Sequence, residues 1–140
     1  MPSFAKSRKK SRGKRALVVE DEAILAAMIE DTLRSSGFDH VTVAGSTEKA
    51  LVLLREKLPD LVMLDVHLRD RDDGWAIAEL LAELAPPRPQ IIFSTGTPED
   101  IPPNIAELGL VLAKPYAEDD LREAITHQPK GIFSKLRRNS

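Results

Sequence analysis

Four groups of residues in this 140-residue chain carry side chains suited to one kind of chemistry. Glu20-Asp21-Glu22 supplies adjacent carboxylates, Asp65 a further carboxylate at the end of an apolar run, Ser94-Thr95-Gly96 hydroxyls beside a glycine, and Lys114-Pro115 an ammonium. Carboxylates drawn together repel one another and raise their own pKa values unless a cation offsets them. A hard divalent ion suits that task, because it takes oxygen ligands and keeps water and phosphate oxygens in its remaining positions. Mg²⁺ is therefore the expected cofactor, with Mn²⁺ as its substitute. A lysine and a hydroxyl at the same point complete a set for phosphoryl transfer to a carboxylate. Asp65 would be the nucleophile, the metal and Lys114 would offset charge on the transferred group, and Thr95 would donate a hydrogen bond.

The elements that must bring these groups together are legible in the hydrophobic pattern. Ala16-Leu17-Val18-Val19, Leu61-Val62-Met63-Leu64, Gln90-Ile91-Ile92-Phe93 and Leu110-Val111-Leu112-Ala113 are short solid runs of the kind found in strands buried on both faces, and Val41-Thr42-Val43-Ala44 is a weaker fifth. Helical spacing fills the gaps. Leu25, Met28, Ile29 and Leu33 form one stripe, ended by Gly37 in a left-handed conformation. Ala50, Leu51, Leu53 and Leu54 form a second, opened by Ser46 or Thr47 and closed before Pro59. Trp75 to Leu84 supplies the third, stopped by Pro86-Pro87, and Leu121, Ala124 and Ile125 mark the last, with Glu118, Asp119 and Asp120 at the positive end of its dipole. Between the fourth and fifth strands, Pro98, Pro102 and Pro103 leave room for a turn or two of helix around Asn104 to Leu108. Strands alternating with helices predict an open parallel α/β sheet, in which a ligand site lies beyond the carboxyl ends of the strands. Every chemical group named above sits at such an end.

In this order and spacing the motifs resemble the receiver domain of response regulators, over residues 16 to 127. ALVVEDE resembles the first strand and acidic pair, PDLVMLDV the phosphoacceptor strand, IIFSTG the Thr-containing fourth strand and LAKP the Lys-Pro end of the fifth. The resemblance implies a flavodoxin-like (βα)5 fold with strand order 2-1-3-4-5. It assigns Asp65 as phosphoacceptor and Glu20, Asp21 and Asp65 as metal ligands, joined by the backbone carbonyl of His67. It gives Thr95 and Lys114 to the phosphoryl group, with the backbone of Gly96 beside them. Phe93-Ser94-Thr95-Gly96, followed by a proline-broken stretch, further resembles the FAT-GUY subgroup of single-domain receivers, whose fourth helix is reduced. Phosphorylation would pull Thr95 and residues 94 to 108 inward. Partners implied are a sensor histidine kinase or a histidine phosphotransfer protein as donor, and a downstream protein target. Such a domain is not an enzyme beyond catalysing its own phosphorylation and dephosphorylation. Arg69, the RDRDDG stretch before Gly74, and Val111 in place of an aromatic three residues before Lys114 depart from the family pattern.

Composition bounds the rest. The length suits one domain, residues 16–127, with no output domain expected. The formal net charge of −2 conceals segregation, since residues 1–15 carry seven Lys/Arg and residues 128–140 four, with no acid in either. These read as a basic flexible arm and a basic tail, the latter containing Ile132, Phe133 and Leu136. The intervening segment holds 9 bases against 22 acids. With no cysteine, disulfides and thiolate metal sites are excluded. No apolar run approaches the roughly 20 residues that span a bilayer, so a cytoplasmic protein is expected. No Walker loop, G-x-G-x-x-G or helix-turn-helix pattern supports nucleotide or DNA binding, and neither nucleic acid nor membrane is an expected partner. Taken singly, the acids could be solvated helix-opening residues, Asp65 a cap, Thr95 a turn residue and Lys114 a surface charge. His67 reads as a bystander in its side chain, His40 and His127 as surface residues, and Trp75 as packing. The alternative function is a phosphorylation-independent adaptor that uses the receiver fold as a binding surface.

Overall fold

The structure, a computed structural model, describes residues 13–67 and 75–127. Residues 1–12, 68–74 and 128–140 lie outside the described residues, and with them most of the basic arm, the RDRDDG stretch and the basic tail. Five parallel strands, β1 (Lys14–Val19), β2 (Phe38–Ala44), β3 (Leu61–Asp65), β4 (Gln90–Thr95) and β5 (Leu110–Ala113), form one sheet in the order β2-β1-β3-β4-β5. The described helices are α1 (Ala23–Ser35), α2 (Thr47–Glu56), α3 (Trp75–Ala82), α4 (Pro103–Ala106) and α5 (Glu118–Thr126).

The solid apolar runs of β1, β3 and β4 are explained by cover on both sides of the sheet, whereas Leu110–Ala113, expected to be buried on both faces, is an edge strand with only Leu110 buried. Side chains alternate along each strand, so Leu17, Val19, Val62, Leu64, Ile91 and Phe93 pack with Ala50 and Leu54 of α2 and Ile77 and Leu81 of α3. Their neighbours Ala16, Val18, Leu61, Met63 and Ile92 pack on the other face with Ile29 and Leu33 of α1 and Leu121 and Ile125 of α5. Burying such a side chain is worth about 1.5–3 kcal/mol, so each central strand is held from two directions. The consequence for function is directional. Parallel strands in register end together, and Glu20, Asp65, Thr95 and Lys114 all fall at that shared edge.

Local signals set the helix ends. Ser46 accepts a hydrogen bond from Lys49 N at 3.1 Å and caps α2. Gly37 adopts φ 108° and turns the chain from α1 into β2. The three acids in the first turn of α5 lie at the positive end of its dipole, and Asp120 Oδ2 also accepts from Ala117 N at 3.0 Å. The proline-broken stretch forms a single 3-10 turn (Pro98–Asp100) and the four-residue α4, with Ile101 and Ile105 buried beneath.

Some boundaries differ from the hydrophobic reading. Strand β1 takes in Lys14 and Arg15, placed in the arm by their charge, because backbone pairing overrides polarity at a strand end. Arg15 N donates to Asp60 Oδ2 at 2.8 Å, Asp60 N donates to Arg15 O at 2.8 Å, and the Lys14 ammonium lies 5.5 Å from the Phe38 ring centre. Strand β2 starts three residues before Val41. Helix α3 stops at Ala82, and Glu83 N and Leu84 N donate to Leu80 O and Leu81 O in a tighter turn leading to Pro86-Pro87.

Gly109 makes a packing prediction. A Cβ built on it would lie 2.2 Å from the Ile91 carbonyl oxygen of β4, whereas one on Gly45 meets nothing within 4 Å. Gly109→Ala is expected to lower unfolding stability by about 1–3 kcal/mol through forced displacement of β5 from β4, and Gly45→Ala to stay within about 0.5 kcal/mol. Urea denaturation of both variants checks the pair, and equal costs would show that the close approach relaxes freely.

Candidate functional site

The end of β1 passes directly into Glu20 and Asp21, and β3 ends on Asp65. One carboxylate oxygen from each of these three residues lies within 4.8 Å of the others. Glu20 is 3% and Asp65 4% exposed, so two of the three charges sit largely out of water. From β5, Lys114 reaches across, its Nζ 3.4 Å from Glu20 Oε1 and 3.4 Å from Asp65 Oδ2. Backbone amides supply further donors. His67 N donates to Asp65 Oδ1 at 3.0 Å and Glu22 N to Glu20 Oε2 at 3.2 Å. Lys114 N donates to Thr95 O at 2.7 Å, which ties the end of β5 to that of β4. The structure thus brings together Glu20, Asp21, Asp65 and Lys114.

Burial pushes the Glu20 carboxyl up to about 7, helped by the negative charge of Asp65 and opposed by Lys114 and the Glu22 amide. Burial works to lower the Lys114 pKa, but Asp65 and Glu20 outweigh it and hold the ammonium above its usual range. Among the described residues, the Lys114 ammonium lies against Glu20 and Asp65, and it leaves the Glu20 carboxyl incompletely satisfied. Glu20 Oε1 is buried with no hydrogen-bond partner, the 3.4 Å approach of Lys114 being an ion pair without hydrogen-bond geometry. An all-oxygen donor set from three clustered carboxylates and an orphaned buried oxygen together fit a hard divalent cation.

Thr95, Gly96 and His67 are arranged differently. The Thr95 side chain is fully buried, and its Oγ1 accepts from Thr97 N at 3.0 Å. Its contacts run to Thr97 instead of to the carboxylates. A Cβ built on Gly96 meets nothing within 4 Å, so open space adjoins the strand end there. The His67 ring points to the neighbouring loop. Its Nε2 lies 2.9 Å from Thr97 Oγ1 and 3.9 Å from Asp100 Oδ2, linking the loop after β3 to the loop after β4.

Two participants escaped the sequence reading. Thr97 joins Thr95 to His67, and Tyr116 places its hydroxyl 2.9 Å from Ser94 Oγ, the residue paired in register with Asp65. Burial raises the Tyr116 pKa against the lowering effects of the Ser94 hydrogen bond and the Lys114 charge. Position two residues after Lys114 was the only available hint, since alternate residues of an extended chain share a side.

With this geometry in hand, the likeness to known proteins is specific. Residues 16–126 match the family model described as the response regulator receiver domain, and the chain belongs to that family. It is 30% identical over 114 residues to the transcriptional regulatory protein PdtaR of Mycobacterium tuberculosis, covering 80% of this chain and 55% of that protein. The chain thus spans about half the length of that relative. Among solved structures, the CheY-like receiver domain from Methylobacillus flagellatus superposes with a TM-score of 0.70 at 25% identity, covering 80% of this chain and 95% of that one. The receiver domain of the PhyR response regulator from Erythrobacter litoralis does so with a TM-score of 0.70 at 28% identity, covering 81% and 87%.

Glu20 gives the site a pH signature. In the fold it keeps its proton to about pH 7, whereas the unfolded chain releases it near 4.5. Between those values the folded state binds more protons than the unfolded state, so stability falls as pH rises. Without divalent ions, the urea midpoint is expected to be higher near the lower limit of that window than near the upper. Glu20→Gln should remove most of this slope, and a slope unchanged in the variant would assign the titration to another group.

Proposed function

We propose that the chain is a phosphorylation switch in which Asp65 accepts a phosphoryl group from a phosphohistidine of a sensor kinase or a histidine phosphotransfer protein. The observation carrying this reading is the Lys114 ammonium, 3.4 Å from Asp65 and 3.4 Å from Glu20 within a three-carboxylate cluster. In the transfer, an Asp65 carboxylate oxygen attacks phosphorus, the bond from phosphorus to the histidine nitrogen breaks, and an acyl phosphate forms on Asp65. Hydrolysis later returns the carboxylate and releases inorganic phosphate.

Glu20, Asp21 and Asp65, with the His67 backbone carbonyl, would hold Mg²⁺ or Mn²⁺, whose chemistry is to offset charge on the phosphoryl oxygens. Lys114 supplies a second positive charge at Asp65. Thr95 Oγ1 accepts from Thr97 N and lies 3.5 Å from Thr97 Oγ1, and on this reading its proton turns from that long contact to a phosphoryl oxygen. The backbone of Gly96 borders the open space that group would occupy. On this reading the domain extends over residues 16–127, works in the cytoplasm where such donors are found, and signals by contact with another protein. No helix among the described residues is long and apolar enough to cross a membrane. The single-turn α4 and Phe93-Ser94-Thr95-Gly96 support placing it in the FAT-GUY subgroup.

Acetyl phosphate with Mg²⁺ tests this by intact mass. The wild type is expected to gain one phosphoryl group and Asp65→Asn none. No gain by the wild type would favour the phosphorylation-independent adaptor. Metal binding has its own pH dependence, since protonated Glu20 is a poor ligand. Mg²⁺ should therefore raise the melting temperature more above pH 7 than near pH 5, and an equal rise at both would place the ion elsewhere.

A further inference from the structure

Strand β5 is one edge of the sheet, and among the described residues it is poorly covered, with Val111 and Leu112 half-buried and Ala113 exposed. Helix α4 has four residues and is about 6 Å long, while the four residues of β5 extend over about 13 Å. The uncovered stretch forms a groove of about 500 Å³ along Leu110–Ala113, walled by Pro98 and Ala106 on one side and by Tyr116, Asp120 and Glu123 on the other. Its floor is mostly apolar and its surroundings are acidic, with seven acids and two bases between residues 96 and 127.

The sequence contains a segment of complementary character next to this groove. Residues 128–140 combine Ile132, Phe133 and Leu136 with Lys130, Lys135, Arg137 and Arg138, and contain no acid. Their starting point is fixed by the fold. Gln90 Nε2 donates to the His127 carbonyl at 3.3 Å, and Gln90 lies two residues before Ile92, the register partner of Leu110 at the end of the groove. The chain therefore leaves α5 beside the start of β4, the strand that pairs with β5. Thirteen residues can extend over about 43–47 Å, several times the length of β5.

We propose that residues 128–140 dock in this groove along the β5 edge. Ile132, Phe133 and Leu136 contact the apolar floor, and the four basic side chains meet Asp120, Glu123 and neighbouring acids. The segment thereby covers an open strand edge and the face that contains Tyr116. This inference does not depend on phosphorylation of Asp65.

Because the chain has no cysteine, Ser140→Cys provides a single thiol for a nitroxide label on the full chain. The label is expected to broaden amide signals of residues 110–116 and 120–124 in the monomer. Two changes should restore those signals, Asp120→Lys with Glu123→Lys in the groove and, separately, Phe133→Ser with Leu136→Ser in the segment. Added salt should weaken the broadening. Broadening confined to residues adjoining His127, or unaffected by both pairs of substitutions, overturns the proposal. Mixing labelled unenriched chain with unlabelled ¹⁵N chain identifies the occupant. Groove broadening that appears only in the mixture assigns it to a second copy and also overturns the intramolecular reading.

Discussion

The Lys114 ammonium stands 3.4 Å from a carboxylate oxygen of Asp65 and 3.4 Å from one of Glu20. Its strand, β5, is separated from β3 by β4 and from β1 by β3 and β4. Two strand spacings amount to about 10 Å, so the bridge requires both a long lysine stem and strand-end loops that turn toward one another. The Lys114 amide, bonded to Thr95 O at 2.7 Å, sets where that stem begins. Loss of this alignment would leave buried carboxylates facing each other without a counter-charge, an arrangement that costs several kcal/mol per ion.

The bridge alone leaves the site electrostatically incomplete. Among the described residues, Glu20 is pushed up to about 7 and one of its oxygens lacks a hydrogen bond, beside Asp21 and Asp65, an arrangement that fits a divalent cation or a proton. On the proposed reading, this is the point at which a phosphoryl group would act. Converting a carboxylate to an acyl phosphate adds bulk and negative charge beside a fixed ammonium, and nearby groups with more than one possible hydrogen-bond partner can rearrange in response. Thr95, Thr97 and His67 form such a line across two loops, and Tyr116 with Ser94 forms another toward β5.

Rigidity is distributed unevenly around this centre. Strands β1, β3 and β4 are gripped by helices on both faces, so the ends that hold Glu20 and Asp65 rest on tightly packed elements. The far side is thin. Three prolines reduce the link between β4 and β5 to one 3-10 turn and one turn of helix, and β5 itself is four residues long. The site therefore has one rigid side and one lightly built side. Identities of 25–28% to receiver domains of the same fold fit this physics, because a strand buried on both faces accepts many apolar side chains while its terminal residues have one chemical task.

By itself the sequence determined the elements and the chemical inventory, because these depend on near neighbours. Solid apolar runs of strand length marked the three inner strands and the edge strand β5, Ser46 and Gly37 marked helix ends, the prolines forecast the shortened α4, and the residues after each run were the ones found at the strand ends. Strand boundaries were less legible. Lys14 and Arg15 are polar by composition, and only pairing with β2 and the Asp60 loop makes them strand. Tertiary structure alone decided which groups touch. That Lys114 bridges two carboxylates, that Thr95 bonds to Thr97, that the His67 ring crosses to another loop and that Tyr116 reaches Ser94 all depend on side-chain direction across residues 22 to 94 positions apart or on loop conformation. Such contacts follow from how packed faces orient strand ends in three dimensions, and no local pattern records that orientation.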